Sequence, residues 1–196
     1  MKIRDYSYSE NRITAKRVDG YYLWIAYLGS SGTCTLKKVD VNNPTLVYFD
    51  LTMNVSEITW MKIYGDYLYC SVDSSSYIGI KIDKDNPLGT GNIDYISKPV
   101  TTTEKSVDLA IDATYLYLLV SGEVSGECAK IFKYNKTSLV LSDTFNLEGT
   151  PSGDTRIYLR TMVIRSGYLW VFSYEKSTKW VKVDVSDGSY TFGEIA

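Results

Sequence analysis

The sequence predicts an all-β fold assembled from four copies of one unit, each made of four antiparallel strands. Three observations carry this reading. A Tyr-Leu-aromatic segment occurs four times, a Lys-x-Asp/Asn segment follows it each time, and no stretch sustains the 3.6-residue periodicity of a helix.

The first segment reads YYLWIAY at 21–27, DYLYCSV at 66–72, TYLYLLV at 114–120 and GYLWVFS at 167–173. Turn-forming pairs precede it: Asp19-Gly20, Gly65-Asp66, Asp112-Ala113 and Ser166-Gly167. Its leucines, Leu23, Leu68, Leu116 and Leu169, lie 45, 48 and 53 residues apart. The second segment reads KKVDV at 37–41, IKIDK at 80–84, FKYNK at 132–136 and VKVDV at 181–185. Its acidic or amide residue follows the leucine by 17, 15, 19 and 15 residues. Two motifs in fixed order, four times over, mark a true repeat.

Each unit resolves into four short strands separated by turn signals. In the first, ITAKRV ends at Asp19-Gly20, the aromatic-rich strand covers 21–28, a Gly/Ser loop leads into TLKKVDV, and Asn42-Asn43-Pro44 turns the chain into TLVYFDL. The other units repeat this plan. The approximate limits are 12–51, 57–97, 106–148 and 156–196, forming one domain, with residues 1–11 as an N-terminal extension or extra strand. Four strands per unit and 45–53 residues between units match the blade of a β-propeller, so the expected architecture is a small propeller of four blades. A single blade exposes both faces of its sheet, and radial packing against neighbours covers them. The aromatics Trp24, Tyr69, Tyr117 and Trp170 are placed to fill the gaps between blades. A sixteen-stranded sandwich would not account for the fourfold repeat. Four blades are near the geometric minimum for closure, so an open arc completed by another copy is the alternative arrangement.

The Y-L-[YW] … K-[VIY]-[DN] pattern, covering 12–196, resembles the degenerate repeats of bacterial and phage β-propellers of the quinoprotein-like type. The blade count is also similar to that of hemopexin-like domains, but no cysteine pair joins the first and last units. Tryptophan–aspartate and kelch signatures are absent. The resemblance implies a fold and carries no functional residue with it.

Composition narrows the chemistry. Histidine is absent, which removes Ser-His-Asp triads and Cys-His dyads and leaves zinc catalysis without its usual imidazole ligands. Cys34, Cys70 and Cys128 have no paired spacing, so neither a disulfide framework nor a metal clip is expected. No phosphate-cradling glycine loop opens a helix, and no cofactor is expected. The formal net charge of -2 gives no general attraction to nucleic acid or to anionic membranes. The polar start, MKIRDYSYSE, lacks a signal-peptide core, and no apolar run is long enough to span a bilayer.

Asp40, Asp83, Asn135 and Asp184 form an acidic set, but each sits at the same turn of its unit, where such side chains hydrogen-bond the backbone two residues on. Asp108, in the otherwise apolar KSVDLAI, is the best placed carboxylate for a central channel, with Arg17, Lys62 and Arg160 on neighbouring inner strands. Three readings of function follow. The leading one is a non-catalytic interaction module, a structural or adaptor component of a phage particle or similar assembly, with protein partners. The alternating KIRDYSY, through Ile3, Tyr6 and Tyr8, could add a strand to a partner's edge. The second is glycan binding for receptor recognition, using Trp60 or Trp180, which stand outside the repeated aromatic position, with Asp108, Arg156 and Arg160 as polar contacts. The third is a carboxylate-dependent lyase or hydrolase centred on Asp108.

Overall fold

The computed structural model describes residues 12–29, 32–89, 91–99, 106–120, 129–147, 159–173 and 179–194. They form sixteen strands. The first sheet holds β1 (Arg12–Asp19), β2 (Tyr22–Leu28), β3 (Cys34–Asp40) and β4 (Val47–Met53). The second holds β5 (Glu57–Tyr64), β6 (Tyr67–Asp73), β7 (Tyr77–Asp83) and β8 (Ile93–Ser97). The third holds β9 (Ser106–Ile111), β10 (Tyr115–Val120), β11 (Ala129–Asn135) and β12 (Leu141–Leu147). The fourth holds β13 (Leu159–Arg165), β14 (Tyr168–Ser173), β15 (Lys179–Asp184) and β16 (Tyr190–Glu194). Strands within each sheet are ordered as in the chain, and every pairing is antiparallel. These are four β-propeller blades, as the repeat predicts.

The local chemistry of the repeat explains the blade. Tight turns join the first two strands, with Gly20, Gly65 and Gly167 at positive φ (59°, 59° and 79°), where a side chain would be strained. The third-to-fourth turns use the acidic set as the sequence suggests. Asp40 Oδ1 accepts the N–H groups of Asn42 and Asn43, Asp83 Oδ1 those of Asp85 and Asn86, and Asn135 Oδ1 those of Thr137 and Ser138. Asp184 Oδ1 accepts the N–H and the hydroxyl of Ser186. These side chains are committed to holding turns.

Strand alternation gives each blade two faces. The forward face meets the next blade and carries Trp24 and Ala26, Tyr69 and Ser71, or Tyr117 and Leu119. The backward face meets the preceding blade and carries Leu68 and Cys70, Leu116 and Leu118, or Leu169 and Val171. Three apolar clusters result, one per junction. Trp24, Tyr69 and Tyr117 are all but inaccessible, as expected for gap-filling aromatics.

Polar contacts stitch the same junctions. Thr59 Oγ1 donates to the Ser106 carbonyl at 2.7 Å, joining β5 to β9. Lys38, buried on the first blade, donates to the carbonyl of Lys84 on the second at 2.7 Å, its ammonium 4.4 Å from the Tyr22 ring centroid. Lys133 on the third blade donates to the carbonyl of Val185 on the fourth at 2.7 Å, its ammonium 4.4 Å from the Tyr115 ring. Both lysines stand two residues before the turn Asp or Asn, and both acceptors stand one residue after it in the following blade. The lysine of the repeat is thus an inter-blade staple at the first and third junctions, whereas Lys81 of the second blade lies 4.3 Å from the Tyr67 ring centroid and makes no such bond among the described residues.

Gly79 marks how tightly the middle junction is packed. A Cβ there would lie 3.1 Å from the Cys70 carbonyl oxygen and from Ile96 Cδ1, and 3.2 Å from Leu118 Cδ1 on the next blade. Gly79→Ala is expected to destabilise the protein by about 1–3 kcal/mol through overpacking, measured as a lower urea midpoint at unchanged slope.

Candidate functional site

The inner strands β1, β5, β9 and β13 pack in sequence, β1 on β5, β5 on β9 and β9 on β13. Strands β13 and β1 do not pack on each other in the way the three consecutive pairs do. Among the described residues, the forward face of the fourth blade and the backward face of the first therefore lack the cover that the other six blade faces have. Trp170, at the position of Trp24, Tyr69 and Tyr117, is only half-buried, which corrects the expectation that all four aromatics fill a gap between blades. The physical reason is that no strand among the described residues packs on this face as β5, β9 and β13 do at the other junctions.

This uncovered face is apolar and aromatic. Val163, Tyr168, Trp170, Phe172, Trp180 and Lys182 line an open concavity of about 670 Å³, and every residue lining it belongs to the fourth blade. Strand pairing fixes the arrangement: Val163 lies opposite Trp170, Phe172 opposite Trp180, and Trp170 opposite Lys182. The Trp170 and Trp180 rings pack with centroids 5.3 Å apart. The Trp180 indole lies across Gly193, where a Cβ would not fit. The Lys182 ammonium sits 3.7 Å from the Tyr168 ring centroid and 5.5 Å from that of Trp170, an electrostatic attraction between cation and ring face. Val163 is 46% exposed. At the other end, Leu23 and Ile25 of the first blade are half-buried, whereas the matching Leu68, Cys70, Leu116, Leu118, Leu169 and Val171 are buried. Val18, on the same backward face, is 51% exposed.

The residues singled out in the sequence do not converge. Trp180 belongs to the fourth-blade face. Trp60, on β5 of the second blade, is 47% exposed and stands apart from it. Arg160 is exposed on β13. Arg156, Ile3, Tyr6, Tyr8 and Cys128 lie outside the described residues. Sequence reading passed over Val163, Tyr168, Phe172 and Lys182 as surface formers. A signal for them existed: the forward-face positions held by Ala26, Ser71 and Leu119 carry Phe172 in the fourth unit, and those held by Leu36, Gly79 and Ile131 carry Trp180.

Asp108 is buried at the seam between the third and fourth blades. Its carboxylate accepts the N–H groups of Leu109 and Met162, each at 2.6 Å, and the hydroxyl of Thr161 at 3.0 Å. Burial raises its pKa above the ordinary carboxylate value, opposed by those three hydrogen bonds and by the positive charge of Lys62. Burial lowers the pKa of Lys62, and the Asp108 charge works against that. Asp108 ties β9 to β13. Cys34 and Cys70 are buried free thiols, and burial pushes Cys34 up to about 11 and raises Cys70 as well. At neutral pH both stay protonated, the unreactive form. Among the described residues no three His, Cys, Asp or Glu side chains are grouped as metal ligands would be.

No protein-family model matches the chain, and no curated protein matches it. Solved structures do. The chain is similar to the computationally designed Ika4 protein, at 11% identity and a TM-score of 0.56, covering 96% of this chain and 94% of that one. It is similar to the WD40 repeats of RRP9, at 13% identity and a TM-score of 0.67, covering 95% of this chain and 54% of that one. It is also similar to a chain of the mitotic checkpoint complex, at 10% identity and a TM-score of 0.64, covering 92% of this chain and 50% of that one. The chain thus spans about half the length of the latter two. At these identities the likeness is one of fold.

Asp108→Asn places an amide NH₂ where a carboxylate oxygen now meets an N–H donor. It is expected to destabilise the protein by about 1–3 kcal/mol at neutral pH. Because the folded pKa is raised, wild-type Asp108 contributes stability below its unfolded pKa and loses it as pH rises through the folded pKa. The gap between wild type and variant should therefore widen from pH 7 to pH 4, followed by urea denaturation at each pH.

Proposed function

We propose that this protein is a non-catalytic β-propeller interaction module, a structural or adaptor component of a larger assembly of the phage-particle type. The observation that carries the reading is the uncovered fourth-blade face. Val163, Trp170, Phe172 and Trp180 present contiguous apolar and aromatic surface where the other blades bury theirs. Such surface on a folded domain marks a contact site, and tryptophan, tyrosine and basic groups are the residue types on which binding energy concentrates. The likeness to WD40-repeat propellers is compatible with protein partners. The virion setting rests on the sequence resemblance to phage propeller repeats.

A photo-crosslinking residue at position 163 is expected to give discrete protein adducts in the source cell. The same residue at Leu88, an exposed turn position on the second blade, should not. Equal labelling from both positions would overturn the reading.

A second reading, glycan recognition, is favoured by one observation, the exposed indole of Trp60. Aromatic rings of this kind stack on sugar faces. If it holds, a glycan panel at millimolar concentration quenches fluorescence in the wild type and not in Trp60→Ala, and a silent wild type removes this reading.

A further inference from the structure

We propose that the two uncovered faces mate head to tail with a second copy of this chain, so that two four-bladed arcs close into a ring of eight blades. The proposal rests on the interaction-module reading above and names its partner.

The argument comes from the three junctions already present. Each consists of a forward face, with its aromatic and its lysine, on a backward face, with its aliphatic pair. The fourth blade ends in a forward face and the first blade begins with a backward face. Leu23 and Ile25 occupy the positions of Leu68 and Cys70, which cover Trp24, and of Leu116 and Leu118, which cover Tyr69. The two free faces thus offer a forward and a backward half, but the first-blade half differs in one row: Lys16 and Lys37 flank Ile25, with Lys37 paired to Asp50 at 2.8 Å, where the other blades have Met61 and Ile80, Leu109 and Phe132, or Met162 and Val181.

The lysine staple sets the register. Lys38 and Lys133 each reach the carbonyl of the residue after the turn Asp in the following blade, Lys84 and Val185. Lys182 is the same residue of the fourth unit; like Lys81 of the second, it lies over a tyrosine ring and makes no such bond among the described residues. The corresponding carbonyl of the first blade is that of Val41. In the mated pair Lys182 of one copy donates to the Val41 carbonyl of the other.

Curvature is consistent with this closure. The arc superposes with TM-scores of 0.67 and 0.64 on chains of which it covers 54% and 50%. Its four blades thus superpose on about half of each of these longer chains. A head-to-tail contact closes when repetition of its rotation returns to the start. Two copies supply two identical junctions and leave no blade face open.

Light scattering coupled to gel filtration tests this on the intact chain. The expected mass is about 44 kDa, twice the 22.2 kDa of one chain. Val163→Glu and Val18→Glu each place a charge on one of the two faces, at positions about half exposed and so tolerant of change within the single chain. Each variant alone should run at the monomer mass with an unchanged circular dichroism spectrum. Mixed, they should recover a pair through the one junction both leave intact. Lys182→Met should weaken the wild-type pair about hundredfold or more, because each of the two junctions loses a charged hydrogen bond worth about tenfold to hundredfold.

A pair that survives Val18→Glu but not Val163→Glu would mean that fourth-blade faces meet each other, which overturns the ring. A monomer whose tryptophan fluorescence is freely quenched by acrylamide also overturns it, yet leaves the face open to a different protein. A monomer whose tryptophans, Trp60 apart, are shielded overturns both this proposal and the reading beneath it. The faces would then have closed on each other within one chain.

Discussion

Everything in this molecule depends on one contact, the forward face of a blade against the backward face of the next. A four-stranded sheet with apolar groups on both sides has no inside of its own. Trp24 is buried only because Leu68 and Cys70 lie across from it, and Tyr117 only because Leu169 and Val171 do. Stability is therefore held in the junctions. The polar groups found there, the Asp108 clamp, the Thr59 hydroxyl and the lysine staples, are all satisfied across a seam rather than within a blade. A buried ammonium is costly unless its donors are used. Lys38 shows how the junction meets that demand, with one carbonyl 2.7 Å away and the rings of Tyr22 and Trp24 beneath the charge.

That dependence makes the two ends unlike the middle. A repeat protein with three junctions has two faces left over, and such proteins ordinarily cap their ends with polar residues. Here the fourth unit does the opposite. Its forward face carries Phe172 where earlier units have Ala26, Ser71 and Leu119, and Trp180 where they have Leu36, Gly79 and Ile131. At the middle junction Gly79 is crowded by Leu118, whereas Leu36 and Ile131 hold the same position at the other two, so each junction packs this position differently.

Most of the fold was legible in the sequence because its signals are local. The Tyr-Leu-aromatic strand, the positive-φ glycines at 20, 65 and 167, and the Asp40, Asp83, Asn135 and Asp184 turns each act within a few residues, so one unit reads like the next. The uncovered face was not legible in the same way. Trp170 looks identical to Trp24 along the chain, and it is half-buried because no sheet among the described residues packs over it. Asp108 misled for a related reason. An acid in an apolar inner strand suggests a channel group, but its partners, Thr161 and Met162, come from β13, about fifty residues later in the chain. Alternation alone cannot show which backbone donors a neighbouring blade will bring.

The placement of Asp108 also bears on where chemistry could occur in this framework. A general acid or nucleophile needs a carboxylate with oxygen lone pairs turned to a substrate and room for it to approach. Asp108 has the raised pKa that draws attention to such groups, but the cause is burial, and both oxygens are engaged by donors at 2.6–3.0 Å. The same carboxylate that would have to act is the one that ties the third blade to the fourth. Any reaction at it would open the junction on which the fourth-blade face depends. Among the described residues, aromatic and aliphatic groups at the two ends of the arc stay partly exposed, Trp170 and Phe172 at one end and Val18, Leu23 and Ile25 at the other.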